Sequence, residues 1–154
     1  NQIDWAENFA EKHYVDLEPE TKEGALNFAR AIILYKRKDF DKALEVLNKT
    51  KLSQFLFRLS IKTFYLRIYY EKGDYQSAGF ALDSYKQFLY KNKTLSEAYR
   101  NVYLNFAAIY YDLLRTASGE KATGKNELNA KMEAMSPNVY NKHWLVEMIR
   151  NLKD

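Results

Sequence analysis

The 154-residue chain is 47% apolar and 29% charged, a balance that supports one packed domain and excludes disorder. It has no cysteine, which removes disulfides, thiol nucleophiles and Cys-ligated metals; its longest purely apolar run, Phe106 to Tyr111, falls far short of the ~20 residues of a membrane span. The net charge of +4 is lopsided: residues 1–24 carry seven acids and two bases, whereas the rest carries 22 bases and 13 acids.

Five glycines and two prolines are too few for the turn density of an all-β sandwich, so an all-α fold is expected. The first residues, Ile3 to Ala10, are already amphipathic, with Ala6, Phe9 and Ala10 on one face. A chain that starts inside such a pattern is expected to be a piece of a longer protein. A first full helix is predicted over about 20–37, with Ala31 and Leu34 inward. Its partner over about 40–49 places Phe40, Ala43, Leu44 and Leu47 at i, i+3, i+4 and i+7. An aromatic helix over about 54–72 follows, then one over about 75–90 that uses Tyr75, Ala78, Leu82 and Tyr85. Thr94-Leu95-Ser96-Glu97 reads as a capping box opening a long helix to about Arg115. Ser118 to Lys125, with two glycines, is a loop, and a weak helix with Leu128, Met132 and Met135 comes next. Ser136-Pro137 reads as a cap with proline at the first helical position of the last helix, whose stripe is Trp144, Leu145, Met148, Ile149 and Leu152.

The chain also matches itself. Tyr35, Asp39, Phe40 and Ala43 align with Tyr70, Asp74, Tyr75 and Ala78 at a constant offset of 35 residues. Each block is a helix end, a tight turn and a new helix start, with Asp39 and Asp74 as N-caps. The small Ala43 and Ala78 mark where a partner helix approaches closely.

The segment Tyr69 to Ala78, with Leu66, Tyr69, Tyr70, Gly73, Tyr75 and Ala78 at signature positions, resembles a tetratricopeptide repeat. The block around Ala31, Tyr35, Phe40 and Ala43 matches a second time. The sequence departs from the family at Lys38, which replaces the turn glycine, at Arg30, where a leucine is usual, and at Gly79 inside a helix. The resemblance implies antiparallel helix pairs stacked as a short right-handed α-solenoid. Repeats would cover about 20–52 and 54–91, a degenerate third pair about 94–136, and a capping helix about 138–153. Residues 3–14 would be the second helix of a preceding repeat.

No chemistry stands out. His13 and His143 lack the partners of a zinc site or a triad, and Gly124-Lys125-Asn126 lacks the ending of a phosphate loop. No enzyme activity, metal or cofactor is expected. The resemblance implies instead a concave groove lined by the first helix of each pair. It carries Phe28, Ile32, Tyr35 and Lys36 in the first pair, and Thr63, Arg67, Tyr70 and Glu71 in the second. Asn101, Leu104, Ala108 and Tyr111 follow in the third. The Lys, Asn and Arg set with which chaperone-binding members clamp a peptide carboxylate is missing: the corresponding sites hold Phe28, Ile32, Phe64, Asn101 and Asn105.

The preferred expectation is a protein-interaction scaffold that binds a peptide or a partner domain in an aromatic groove. Two further readings stay open: a helical-repeat nucleic-acid binder using Arg58, Lys62, Arg67 and nearby tyrosines, and a regulatory appendage of an enzyme. The acidic first 24 residues facing a basic body also predict weak, salt-sensitive self-association, head to tail.

Overall fold

The computed structural model describes residues 18–121 and 123–153. Seven helices occupy these residues, and no strand occurs among them. They are α1 (Pro19–Lys36), α2 (Phe40–Lys49), α3 (Phe55–Lys72), α4 (Tyr75–Lys91), α5 (Glu97–Ala117), α6 (Lys125–Met135) and α7 (Lys142–Arg150). None of these helices is long and apolar enough to cross a membrane. The chain divides into two compact units, one ending at Lys72 and the other beginning at Gly73.

In the first unit, α1 starts with proline at its first turn, where the missing N–H costs nothing, and buries Ala25, Phe28, Ala31, Ile32 and Tyr35 at helical spacing. The α2 helix buries Ala43 and Leu47 against it, and Phe57, Ile61, Phe64 and Ile68 of α3 complete one core. Gly24 permits a close approach in this unit: a Cβ there would stand 2.5 Å from the Lys51 carbonyl oxygen.

The turn between α1 and α2 closes as a Schellman motif. The Lys38 N–H donates to the Tyr35 carbonyl at 2.9 Å, and the Asp39 N–H donates to the Leu34 carbonyl at 3.0 Å. This geometry puts Lys38 at φ 62°, a conformation that favours glycine. Gly73, 35 residues on, has φ 79°. The next residues agree as well, Asp39 with φ −84° and ψ 69°, Asp74 with φ −85° and ψ 73°. The sequence offset is therefore an offset of backbone shape. The caps themselves differ. The Asp74 side chain accepts from the Ser77 N–H at 3.1 Å, while Asp39 makes no cap hydrogen bond and pairs with Lys42 at 2.8 Å.

In the second unit, α4 buries Ala78, Leu82, Tyr85 and Leu89, and a five-residue link brings α5 back against it. Arg100 ties the link down: its guanidinium donates to the carbonyls of Leu89, Asn92 and Leu95. The expected capping box is shifted. Ser96, not Thr94, caps α5 by accepting from the Tyr99 N–H, and Thr94 instead donates to the Asn92 side chain. The end of α5 repeats the Schellman pattern with Gly119 at φ 80°.

Ser136-Pro137 departs from expectation too. It is joined by a cis peptide within a turn, so it does not open the last helix, which begins at Lys142. That turn is pinned to α5, with the Tyr140 N–H on the Val102 carbonyl and the Asn105 amide on the Asn138 carbonyl. Tyr85, Phe106, Tyr110 and Trp144 then form a continuous aromatic core; Tyr110 and Trp144 stack at 6.0 Å between centroids. Residues 3–14, read above as a helix, lie outside the described residues.

Candidate interaction surface

The expected groove residues meet two different fates. In the first unit they converge, but inward. Phe28, Ile32, Tyr35 and Thr63 are buried, and Arg67 is only 6% exposed. Phe64 stands edge-on to both Phe28 and Tyr35, with centroids 5.4 and 5.5 Å away. The Arg67 guanidinium lies over the Tyr35 and Phe64 rings at 4.8 and 5.0 Å and donates through Nη2 to the Tyr35 hydroxyl at 3.0 Å. The Tyr35 hydroxyl donates in turn to Glu71, whose other oxygen meets Lys38 Nζ at 2.5 Å.

The result is a closed relay, Arg67 to Tyr35 to Glu71, with Lys38 as its outer cation. It satisfies polar groups that α1 and α3 bring into an apolar core. Burial pushes the Tyr35 hydroxyl pKa well up; the Arg67 charge opposes this, and the hydrogen bond to Glu71 adds to it. The relay also accounts for the lysine at the glycine-favouring turn position. Lys38 gains Glu71 as well as the rings of Tyr35 and Phe40, at 5.7 and 5.6 Å. Of the groove residues expected on α1 and α3, Phe28, Ile32, Tyr35, Thr63 and Arg67 are thus buried, whereas Lys36 is exposed and Tyr70 is half-buried. The physical reason is bulk, because rings at Phe28, Tyr35 and Phe64 fill the space that small residues would leave between the helices.

The nucleic-acid set fares similarly. Arg67 is committed to the interior, which leaves Arg58 exposed and Lys62 half-buried. Partial burial, and next the neighbouring Arg58 charge, hold the Lys62 pKa below its ordinary value.

The α5 members behave otherwise. Asn101, Leu104, Ala108 and Tyr111 recur at i, i+3, i+7 and i+10, so they share one side of the helix. Asn101 is exposed, Leu104 and Ala108 are half-buried, and Tyr111 is 43% exposed. Lys86 of α4 and Arg115 of α5 stand over the Tyr111 ring at 5.3 and 5.5 Å. Arg115 is four residues beyond Tyr111 and so was legible in the sequence; Lys86 comes from another helix and was not. Phe80, Tyr90 and Tyr99 of the same helix pair are also well exposed.

His143 is exposed, and His13 lies outside the described residues. Among the described residues, no group of three or more His, Asp or Glu side chains is placed to hold a metal ion. Comparison with protein-family models, with curated proteins and with solved structures returned no match.

Proposed function

We propose that this chain is a non-catalytic interaction scaffold of the tetratricopeptide-like kind, a short right-handed α-solenoid whose α5 stripe receives a peptide or a partner domain. The two turns of matching backbone, 35 residues apart, support the repeat part of this reading. The observation that carries the binding part is Tyr111. A large ring sits partly exposed with two cations over it and continues an apolar line from Leu104 through Ala108. Aromatic anchors that keep a polar tip, with arginine beside them, are what protein interfaces favour at their centres.

The test is a selection of displayed random peptides on the intact chain. Enriched peptides are expected to bind with loss of at least about tenfold on Tyr111→Ala or Leu104→Asp, as for an interface anchor. Enriched peptides that ignore both substitutions would overturn the reading. So would tight, steeply salt-dependent binding of a labelled mixed-sequence RNA, the signature of a phosphate-binding surface.

A further inference from the structure

Tyr35 in the first unit and Tyr111 in the second each have two cations over the ring. At Tyr35 these are Arg67 at 4.8 Å and Lys38 at 5.7 Å from the centroid; at Tyr111 they are Lys86 at 5.3 Å and Arg115 at 5.5 Å. The two sites differ in their anion. The Tyr35 hydroxyl donates to one oxygen of Glu71, and Lys38 donates to the other. Among the described residues, no carboxylate accepts from the Tyr111 hydroxyl, and Lys86 forms no ion pair. The acids nearest in sequence do not fill this role. Asp112 holds Lys131 at 2.5 Å, and Glu120 meets Arg115 at 3.5 Å. Asp83, three residues before Lys86 on α4, is exposed. Lys86 itself is half-buried, so its stem packs on the protein while its ammonium stays over the ring.

We propose that the α5 stripe takes its peptide through an acidic side chain, whose carboxylate meets the Tyr111 hydroxyl and the Lys86 ammonium as Glu71 meets Tyr35 and Lys38. This ligand chemistry rests on the peptide-binding reading of the stripe. A phenol O–H and an ammonium are both donors here, and a carboxylate offers one oxygen to each. A basic side chain would instead face two like charges, and an apolar one would cover both donors without replacing their water. Glu71 shows that a side-chain carboxylate suits this geometry. A peptide C-terminus is the poorer fit, because the Lys, Asn and Arg clamp for it is missing from this chain. The stripe also sets a direction. Glu97, exposed four residues before Asn101, opens it with a negative charge, and Arg115 closes it with a positive one. The acid of the peptide is therefore directed to the Tyr111 end, and an apolar side chain to Leu104, seven residues and about 10 Å away.

The test uses synthetic copies of peptides selected on the intact chain, with affinities measured for the parent and for Lys86→Glu. Enriched peptides are expected to share an Asp or Glu near an apolar residue. Its replacement by Asn or Gln should weaken binding at least about tenfold, while amidation of the peptide C-terminus should leave it unchanged. Lys86→Glu should weaken the acidic peptide to a similar degree, and a peptide with Lys in place of its acid should regain binding to that variant. Circular dichroism checks that the variant keeps its helix content, and the substitutions on the peptide leave the protein untouched. Peptides that need Tyr111 but ignore both the loss of their acid and Lys86→Glu would overturn the carboxylate proposal and leave the peptide-binding reading standing. Binding abolished by C-terminal amidation alone would overturn it too, in favour of the chain end. Peptides indifferent to Tyr111→Ala would remove the reading beneath it.

Discussion

The α1–α3 pair and the α5 stripe were expected to do the same thing, and the structure gives them opposite characters. On α1 and α3 the expected groove side chains face one another, and their polar tips are spent on each other through Arg67, Tyr35 and Glu71. On α5 the corresponding positions are exposed at Asn101 and Tyr111 and half-buried at Leu104 and Ala108, and two cations lie over the Tyr111 ring. The difference is one of side-chain volume. Three rings at Phe28, Tyr35 and Phe64 fill the first surface, while the second carries the small Ala108 between Leu104 and Tyr111. The first set is thus a stability element and the second a candidate for binding. The distinction can be broken experimentally.

The largest effect is expected at the relay. Glu71→Ala removes a side chain only 6% exposed, together with the acceptor of the buried Tyr35 hydroxyl, and should destabilise by about 3 kcal/mol in chemical unfolding. A loss well under 1 kcal/mol would show that the cluster is ornamental. Next come the small positions. Ala43 and Ala78 are both fully buried, and a leucine at either should cost roughly 1–3 kcal/mol by overpacking. Variants that melt like the parent would remove the structural equivalence of the two turns. Asp74→Ala should cost about 1 kcal/mol, since it deletes a cap hydrogen bond, and Asp39→Ala should cost less, because the Asp39 side chain pairs with Lys42 and makes no such bond of cap geometry.

The relay also has a pH signature. Because burial raises the folded-state pKa of Tyr35, its contribution is complete below the ordinary tyrosine value of about 10 and is lost as pH rises beyond it, where the unfolded chain ionises first. Melting temperatures measured from pH 8 to 11 should fall less steeply for Tyr35→Phe than for the parent; parallel curves would contradict the buried hydroxyl. The smallest stability effect is expected for Tyr111→Ala, within about 0.5 kcal/mol of the parent, as for a surface residue.

Much of this architecture was legible. The boundaries of α1 to α4 follow from apolar spacing and from the Asp-aromatic turns, because those signals are local. The errors have tertiary causes. Thr94 has the residue type of a cap, but Asn92 claims it and leaves the role to Ser96. Proline at 137 suits a helix start, yet the chain there is held by Val102 and Asn105 of α5, and the helix waits until Lys142. The burial of the expected groove residues on α1 and α3 has a tertiary cause as well. A stripe of residues can be read from spacing, but whether a facing helix fills it depends on rings contributed from 30 or so residues away, as Phe64 does for Phe28 and Tyr35. Arg30, at a position where the resembling family usually has leucine, is exposed on α1.

Hydrogen exchange with mass spectrometry, on the intact chain with and without a peptide obtained by selection, tests the central claim most directly. The account predicts new protection along residues 101–115 and none in the segments 28–36 and 63–71. Protection confined to those two segments, with α5 unchanged, would contradict it.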